Sequence, residues 1–304
     1  MTRQVNVSPG EQAWRYAGRI LASLVLIFLI APIIIIIPLS FNAEPYFTFT
    51  DGMLALDSQA YSWRWYMDIF QNGMVDPGQP AWGLGWLLDA WHNAQWIHSI
   101  KNSLSIALSS TLLSTVLGTM AALGLAQSEM PARNFIMSVL IAPMIVPIII
   151  TSAGMFFFFA DVNLSNTYIG IVLAHTALGI PFVVITVTAA LVGFDKTLIR
   201  AAQVLGAPPH TVFLRVVAPL IMPGVVSGAL FAFATSFDEV VVIMFLADYD
   251  QRTIPRQMWS GVREQISPTI LAVATILVGV SILLLSVVEL LRRRSERLRG
   301  VRPH

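Results

Sequence analysis

The sequence predicts an all-α membrane protein with six transmembrane helices and both termini in the cytoplasm, and three observations lead there. Of 304 residues, 56% are hydrophobic and 12% charged, a composition too apolar for a water-soluble fold. Apolar runs long enough to cross ~30 Å of hydrocarbon as helices recur six times, at 20–41, 100–126, 135–160, 168–192, 220–246 and 269–291. Lys and Arg are also segregated. With an even number of spans and the tail RRRSERLRGVR inside, 13 of 18 fall on the inner side, leaving Arg64, Lys101, Arg252, Arg256 and Arg263 outside. This is the positive-inside pattern, and it says more than the net charge of +1.

In chain order, residues 1–19 form an inner tail and 20–41 the first span. That run is longer than a signal-peptide core and no small-residue cleavage pattern follows it, so it is expected to stay as an anchor. The connection 42–99 is long and carries Trp63, Trp65, Trp82, Trp86, Trp91 and Trp96. Indole rings favour the water–lipid interface, so parts of it, 62–70 for instance, should lie on the membrane as short helices. It serves either as an interfacial anchor or as a docking surface for a soluble or membrane partner. The outer segments hold ten carboxylates against five bases; this favours a cationic solute there, or merely reflects the retention of Lys and Arg inside.

Residues 100–291 form a five-helix core. Prolines at 32, 38, 143, 147, 181, 219 and 223 should kink the spans, which a bundle tolerates when neighbours satisfy the freed backbone groups. Gly118, Ala121, Ala122 and Gly124, and Gly224, Gly228 and Ala232, offer surfaces for close helix packing. A basic inner tail, 292–304, ends the chain. With no cysteine, disulfides, thiolate metal sites and a cysteine nucleophile are excluded.

The inner segment 193–219 contains IRAAQVLGAPPHTVFLRVVAP. Ala201 and Ala202 let a short helix pack closely, Gly206 permits the positive φ of a helix end, and Pro209 can open the next helix. This predicts a stiff elbow. Its spacing resembles the EAA motif of permease subunits of type I ATP-binding-cassette importers, and the likeness extends from the NSLSIALSSTLLSTVLGTMAALGLA run at Asn102 to Leu291. SFDEVVVIMFLAD at Ser236 and REQISPTILAVATILV at Arg263 are most similar to the polyamine branch, spermidine and putrescine permeases, in the second of its two membrane subunits.

The resemblance implies a type I permease fold in a bacterial inner membrane, an extra first helix, and a coupling helix seated in a groove of an ATPase. Carried onto this chain, that contact falls to Ala201, Ala202 and Gly206, with Leu205, Ala207 and Phe213 beside it. Arg200 stands where the family usually has glutamate, so either the ATPase supplies a compensating acid or packing suffices. The implied partners are a homologous permease (a heterodimer is favoured), two ATPase subunits, a periplasmic solute-binding protein and the bilayer, with no nucleic acid. ATP and Mg belong to the ATPase, and this chain binds no cofactor of its own.

Asp238 and Glu239 lie inside the fifth apolar run. Each charge in a span costs about 2.5–3.5 kcal/mol on insertion scales, so they should face the bundle interior. They pass a cationic amine along, or form a structural pair or helix cap involving His175, Lys101 or a partner subunit. His175 is either a hydrogen-bonded packing element or a proton relay. Phe156 to Phe159 mostly pack or face lipid, though one or two of them, Phe159 being the one placed on the substrate pathway, could line a vestibule and make cation–π contacts with an amine. No GxxxxGK[ST] run and no HExxH motif is present, so the chain is not expected to be an enzyme. The alternatives are an importer of another amine-bearing solute (aminophosphonate, opine or amino acid) and an ATP-independent secondary transporter, for which inverted repeats would be expected and are not found.

Overall fold

The structure, a computed structural model, describes residues 9–127, 130–193, 195, 197–264 and 267–298. Parts of both predicted tails, with Phe194 and Lys196 beside the elbow, lie outside them. In order, the helices are α1 (Pro9–Leu39), α2 (Asp51–Leu54), α3 (Arg64–Gln71), α4 (Leu84–Asn93), α5 (Gln95–Leu125), α6 (Arg133–Ile145), α7 (Ile148–Asp161), α8 (Tyr168–Val192), α9 (Thr197–Val204), α10 (Pro209–Val212), α11 (Ala218–Asp238), α12 (Val241–Leu246), α13 (Ile254–Glu264) and α14 (Thr269–Leu298).

Among the described residues, four helical stretches are long and apolar enough to cross a membrane: α1, α5, α8 and the run Pro209–Asp238. A fifth candidate is α6 with α7, and here the structure differs from the expectation of one continuous span. The two helices meet at 104°. Pro147 has no N–H to give the helix and pushes Val146 into extended backbone (ψ 135°). Helix α14 opens with a further apolar stretch, Thr269–Leu283. Residues 220–246 are likewise not one helix, because α11 ends at Asp238 and Glu239 is extended (ψ 121°).

The chain divides into two compact units. In the first, Met1–Asn72 with Gly261–His304, α14 packs against α1 and α3. Phe41, Trp63 and Tyr66 cluster their rings within 4.8–5.3 Å, and the Trp65 indole donates to the Asn42 carbonyl at 2.7 Å. Asp68 accepts from the Thr269 hydroxyl at 2.6 Å, tying α3 to the start of α14.

In the second unit, Gly73–Ser260, α8 packs between α5 and α11 through glycines. A Cβ at Gly118 of α5 would stand 2.7 Å from Val183 Cβ, and one at Gly228 of α11 would stand 2.7 Å from Val183 Cα and 2.5 Å from the Thr186 hydroxyl. The missing side chains let the backbones approach, and dispersion and interhelical hydrogen bonds then take the place of a hydrophobic driving force that lipid cannot supply. One buried cluster joins Ala122, Val183, Val187, Val217, Ile221 and Ala232. The other gathers Ile106, Phe159, Ile171, Leu178, Val242 and Leu246.

The tryptophans divide. Trp63, Trp82 and Trp91 are exposed, as an interfacial role requires, whereas Trp86 and Trp96 are buried in protein. The Trp-rich connection is also braced: the Asp89 carboxylate accepts from the amides of Asp76 and Val75 and from Asn93, which hold it below the usual carboxylate range.

Candidate functional site: the elbow and the broken helix

The elbow begins at Asp195, whose carboxylate accepts from the Thr197 amide at 2.9 Å and is held below its ordinary pKa by that bond. This closes the N-terminus of α9. The far end of α9 is a Schellman turn. The Ala207 amide reaches back to the Ala202 carbonyl at 3.1 Å, and the Gly206 amide to the Gln203 carbonyl at 2.9 Å. Gly206 takes the left-handed conformation this requires, at φ +80°. Pro209 then opens α10, as its fixed φ favours. A five-residue π-helical turn, Phe213–Val217, leads into α11.

Of the residues singled out here, Arg200, Ala201, Leu205 and Phe213 are exposed, while Ala202 and Ala207 are half-buried. Val204 and Leu205 are 87% and 86% exposed, a pair of bare aliphatic side chains at the tip of the elbow. Val204 was not among the expected contacts, although its place as the last residue of α9 marks it in the sequence.

The second location is the break after α11. The two carboxylates there have different situations. One Glu239 oxygen accepts from the Val241 amide at 2.6 Å and the Val242 amide at 3.0 Å, closing the N-terminus of α12. The Asp238 carboxylate is exposed and makes no hydrogen bond or ion pair with the described residues. At the other end of α12, Arg256 donates to the carbonyls of Ala247 at 2.8 Å and Asp248 at 2.9 Å. Desolvation, then Arg252 nearby, lowers the Arg256 pKa from its usual value.

The structure does not join the other expected residues to this carboxylate pair. Lys101 donates to the Trp91 carbonyl at 2.6 Å and stands over the Trp91 ring. His175 is buried, with Nδ1 2.8 Å from the Ser236 hydroxyl. Phe159 belongs to the buried cluster with Ile171 and Leu246, and the exposed rings of the aromatic run are Phe156, Phe157 and Phe158.

One organising residue went unnoticed in the sequence. Asn102 of α5 is 5% exposed. Its amide donates to the carbonyls of Asp250 at 2.7 Å and Arg252 at 3.0 Å, and its oxygen accepts from Tyr168 at 3.0 Å. The next residue, Ser103, accepts from the Ile254 amide at 2.8 Å. Together they fasten the loop after α12. Asn102→Leu withdraws a donor from two carbonyls and is expected to cost about 1–3 kcal/mol, seen as a lower thermal unfolding midpoint of the purified complex; an unchanged midpoint would remove this role.

Residues 114–297, which include the elbow and the break, match the family described as binding-protein-dependent transport system inner membrane component. The chain is 28% identical over 268 residues to a spermidine/putrescine transport system permease protein of Haemophilus influenzae, covering 88% of this chain and 93% of the relative. It is 26% identical over 266 residues to PotC, the permease of that name in Escherichia coli, covering 88% and 90%. The putrescine transport system permease protein PotI of Escherichia coli is 28% identical over 259 residues, covering 83% and 82%. Among solved structures, a chain of a bacterial ABC transporter involved in import of the acidic polysaccharide alginate shares the fold at TM-score 0.64 and 14% identity, covering 94% of this chain and 98% of that one. A chain of a bacterial alginate ABC transporter in complex with its alginate-bound periplasmic protein does so at TM-score 0.57 and 17% identity, covering 96% of each. The elbow, the glycine-packed helices and the match over 114–297 place this chain in the family of inner membrane components of binding-protein-dependent transport systems, and so make it a multi-pass subunit of an ABC transporter.

Proposed function

We propose that the chain is one of two membrane subunits of an ATP-driven importer that carries polyamines, spermidine or putrescine, across a bacterial inner membrane. The observation that carries the substrate is the match over 83–88% of the chain to permeases of spermidine/putrescine and putrescine systems. The chemistry at the break supports it. An uncommitted carboxylate at the end of an apolar helix offsets part of the cost of stripping water from an ammonium group, and Asp238 is such a group whereas Glu239 is engaged by backbone amides.

In this scheme a soluble binding protein delivers the amine, and a homologous permease completes the path. Two ATPase subunits, which hold the ATP and Mg, grip the elbow through Ala201, Val204 and Leu205. Arg200, exposed beside them, meets an acid in the ATPase groove.

The test is the ATPase rate of the complex with its companion permease and ATPases in lipid, with binding protein loaded by polyamines, amino acids or aminophosphonates. Stimulation by the polyamine-loaded form alone is expected. Stimulation by another class would reassign the substrate, and failure of any ATPase to co-purify would overturn the importer assignment. Asp238→Asn should lower polyamine uptake about tenfold, the scale of one charge-assisted bond, and lower ATPase stimulation less; equal loss of both would make Asp238 structural.

A further inference from the structure

Three buried polar side chains, one from each helix of the glycine-packed trio, form a hydrogen-bonded chain that neither the elbow nor the carboxylates use. Ser110 of α5 donates to the Ser236 hydroxyl of α11 at 2.9 Å, and Ser236 lies 2.8 Å from Nδ1 of His175 on α8. Their exposures are 1%, 6% and 1%. The other ring nitrogen, Nε2, is buried and has no hydrogen-bond partner among the described residues. Through Nδ1 the ring holds the Ser236 hydroxyl.

What it holds is set by position. Ser236 lies in the last turn of α11, two residues before the helix stops at Asp238. Fixing Ser236 from two neighbouring helices therefore fixes where the helix ends and where the Asp238 carboxylate emerges. A hydrogen bond in a dry, low-dielectric interior is strong and directional, and serine and histidine cost more to bury here than the aliphatic residues around them. Simple space-filling would not require them.

We infer that His175, acting through Ser236, is a positioning residue that sets the end of α11 and so the placement of Asp238. The importance of that placement for transport rests on the polyamine assignment above, but the placement itself can be tested without any solute.

The chain has no cysteine, so Asp238→Cys in the assembled complex gives a single thiol on this chain whose alkylation rate by a small maleimide reports its surroundings. Asparagine places its amide where Nδ1 stands and serves as donor or acceptor; glutamine places it where Nε2 stands and is closer to histidine in volume. In the Asp238→Cys background, His175→Asn should keep the rate within about twofold, while His175→Gln and Ser236→Ala should each change it about tenfold, the size of one lost buried hydrogen bond. If the ring only fills space, the order reverses and glutamine is the milder change, which would overturn the inference. Unchanged labelling in Ser236→Ala, a change too small to threaten folding, would overturn it as well. Should the polyamine assignment fail in its own assay, this pattern of labelling rates would stand unaffected.

Discussion

Gly206→Val is expected to leave the permease inserted and the ATPase running while uptake becomes uncoupled from hydrolysis. The penalty is conformational rather than steric. A Cβ at Gly206 would meet nothing within 4 Å, but φ is +80° there, and an L-residue held in the left-handed region costs about 1–2 kcal/mol. A β-branched residue is worse placed still. Such a cost depopulates the Schellman turn about tenfold, and with it the angle between α9 and α10. Asparagine tolerates this region better than other residues, so Gly206→Asn should recover much of the coupling. The measurement is solute transported per ATP hydrolysed in proteoliposomes. A wild-type ratio in the valine variant would remove the elbow from the coupling path.

Gly228→Val acts by the opposite route, through contact alone. Its Cβ would lie 2.7 Å from the Val183 Cα and 2.5 Å from the Thr186 hydroxyl. The first of these atoms is backbone and cannot rotate away, so α8 and α11 must part. Overpacking of this kind costs about 3 kcal/mol, and it also strains the buried cluster of Val183, Ile221 and Ala232. The expected result is a large loss of assembled complex on size-exclusion chromatography and a lower unfolding temperature. Gly154→Ala, where a Cβ meets nothing within 4 Å, should behave as the native chain. Equal yields from the two variants would mean that the close approach is not needed.

Helix α8 was legible to the residue, Tyr168–Val192, because its run carries no Asp, Glu, Lys or Arg, follows Asn166 and Thr167, and ends at Gly193. The elbow was legible too, since two alanines and a glycine at fixed spacing demand a particular backbone. The bend between α6 and α7 was less so. Pro143, Pro181 and Pro223 all sit inside continuous helices, and nothing in the composition separates Pro147 from them. The stop at Asp238 was hidden for a related reason: apolar residues continue on both sides, and what starts α12 is a carboxylate accepting from amides two and three residues ahead. The role of Asn102 depends on carbonyls 148 and 150 residues away, and no local pattern encodes a contact at that range. Burial of Trp86 and Trp96 depends on tertiary packing in the same way.

The short helix α12 brings part of its closure with it: an acid from its leading edge satisfies its first amides, and an arginine from the following helix takes the carbonyls of Ala247 and Asp248 just past its last residue. Residues 239–256 are thus closed from within at their leading edge, whereas the Leu246 carbonyl takes the Asn166 amide and the carbonyls of Asp250 and Arg252 take the Asn102 amide. An engineer building chimeras between related permeases would have to move that stretch together with Asn102, Ser103 and the turn at Asn166, because those residues mend the amide and carbonyl groups it does not close itself.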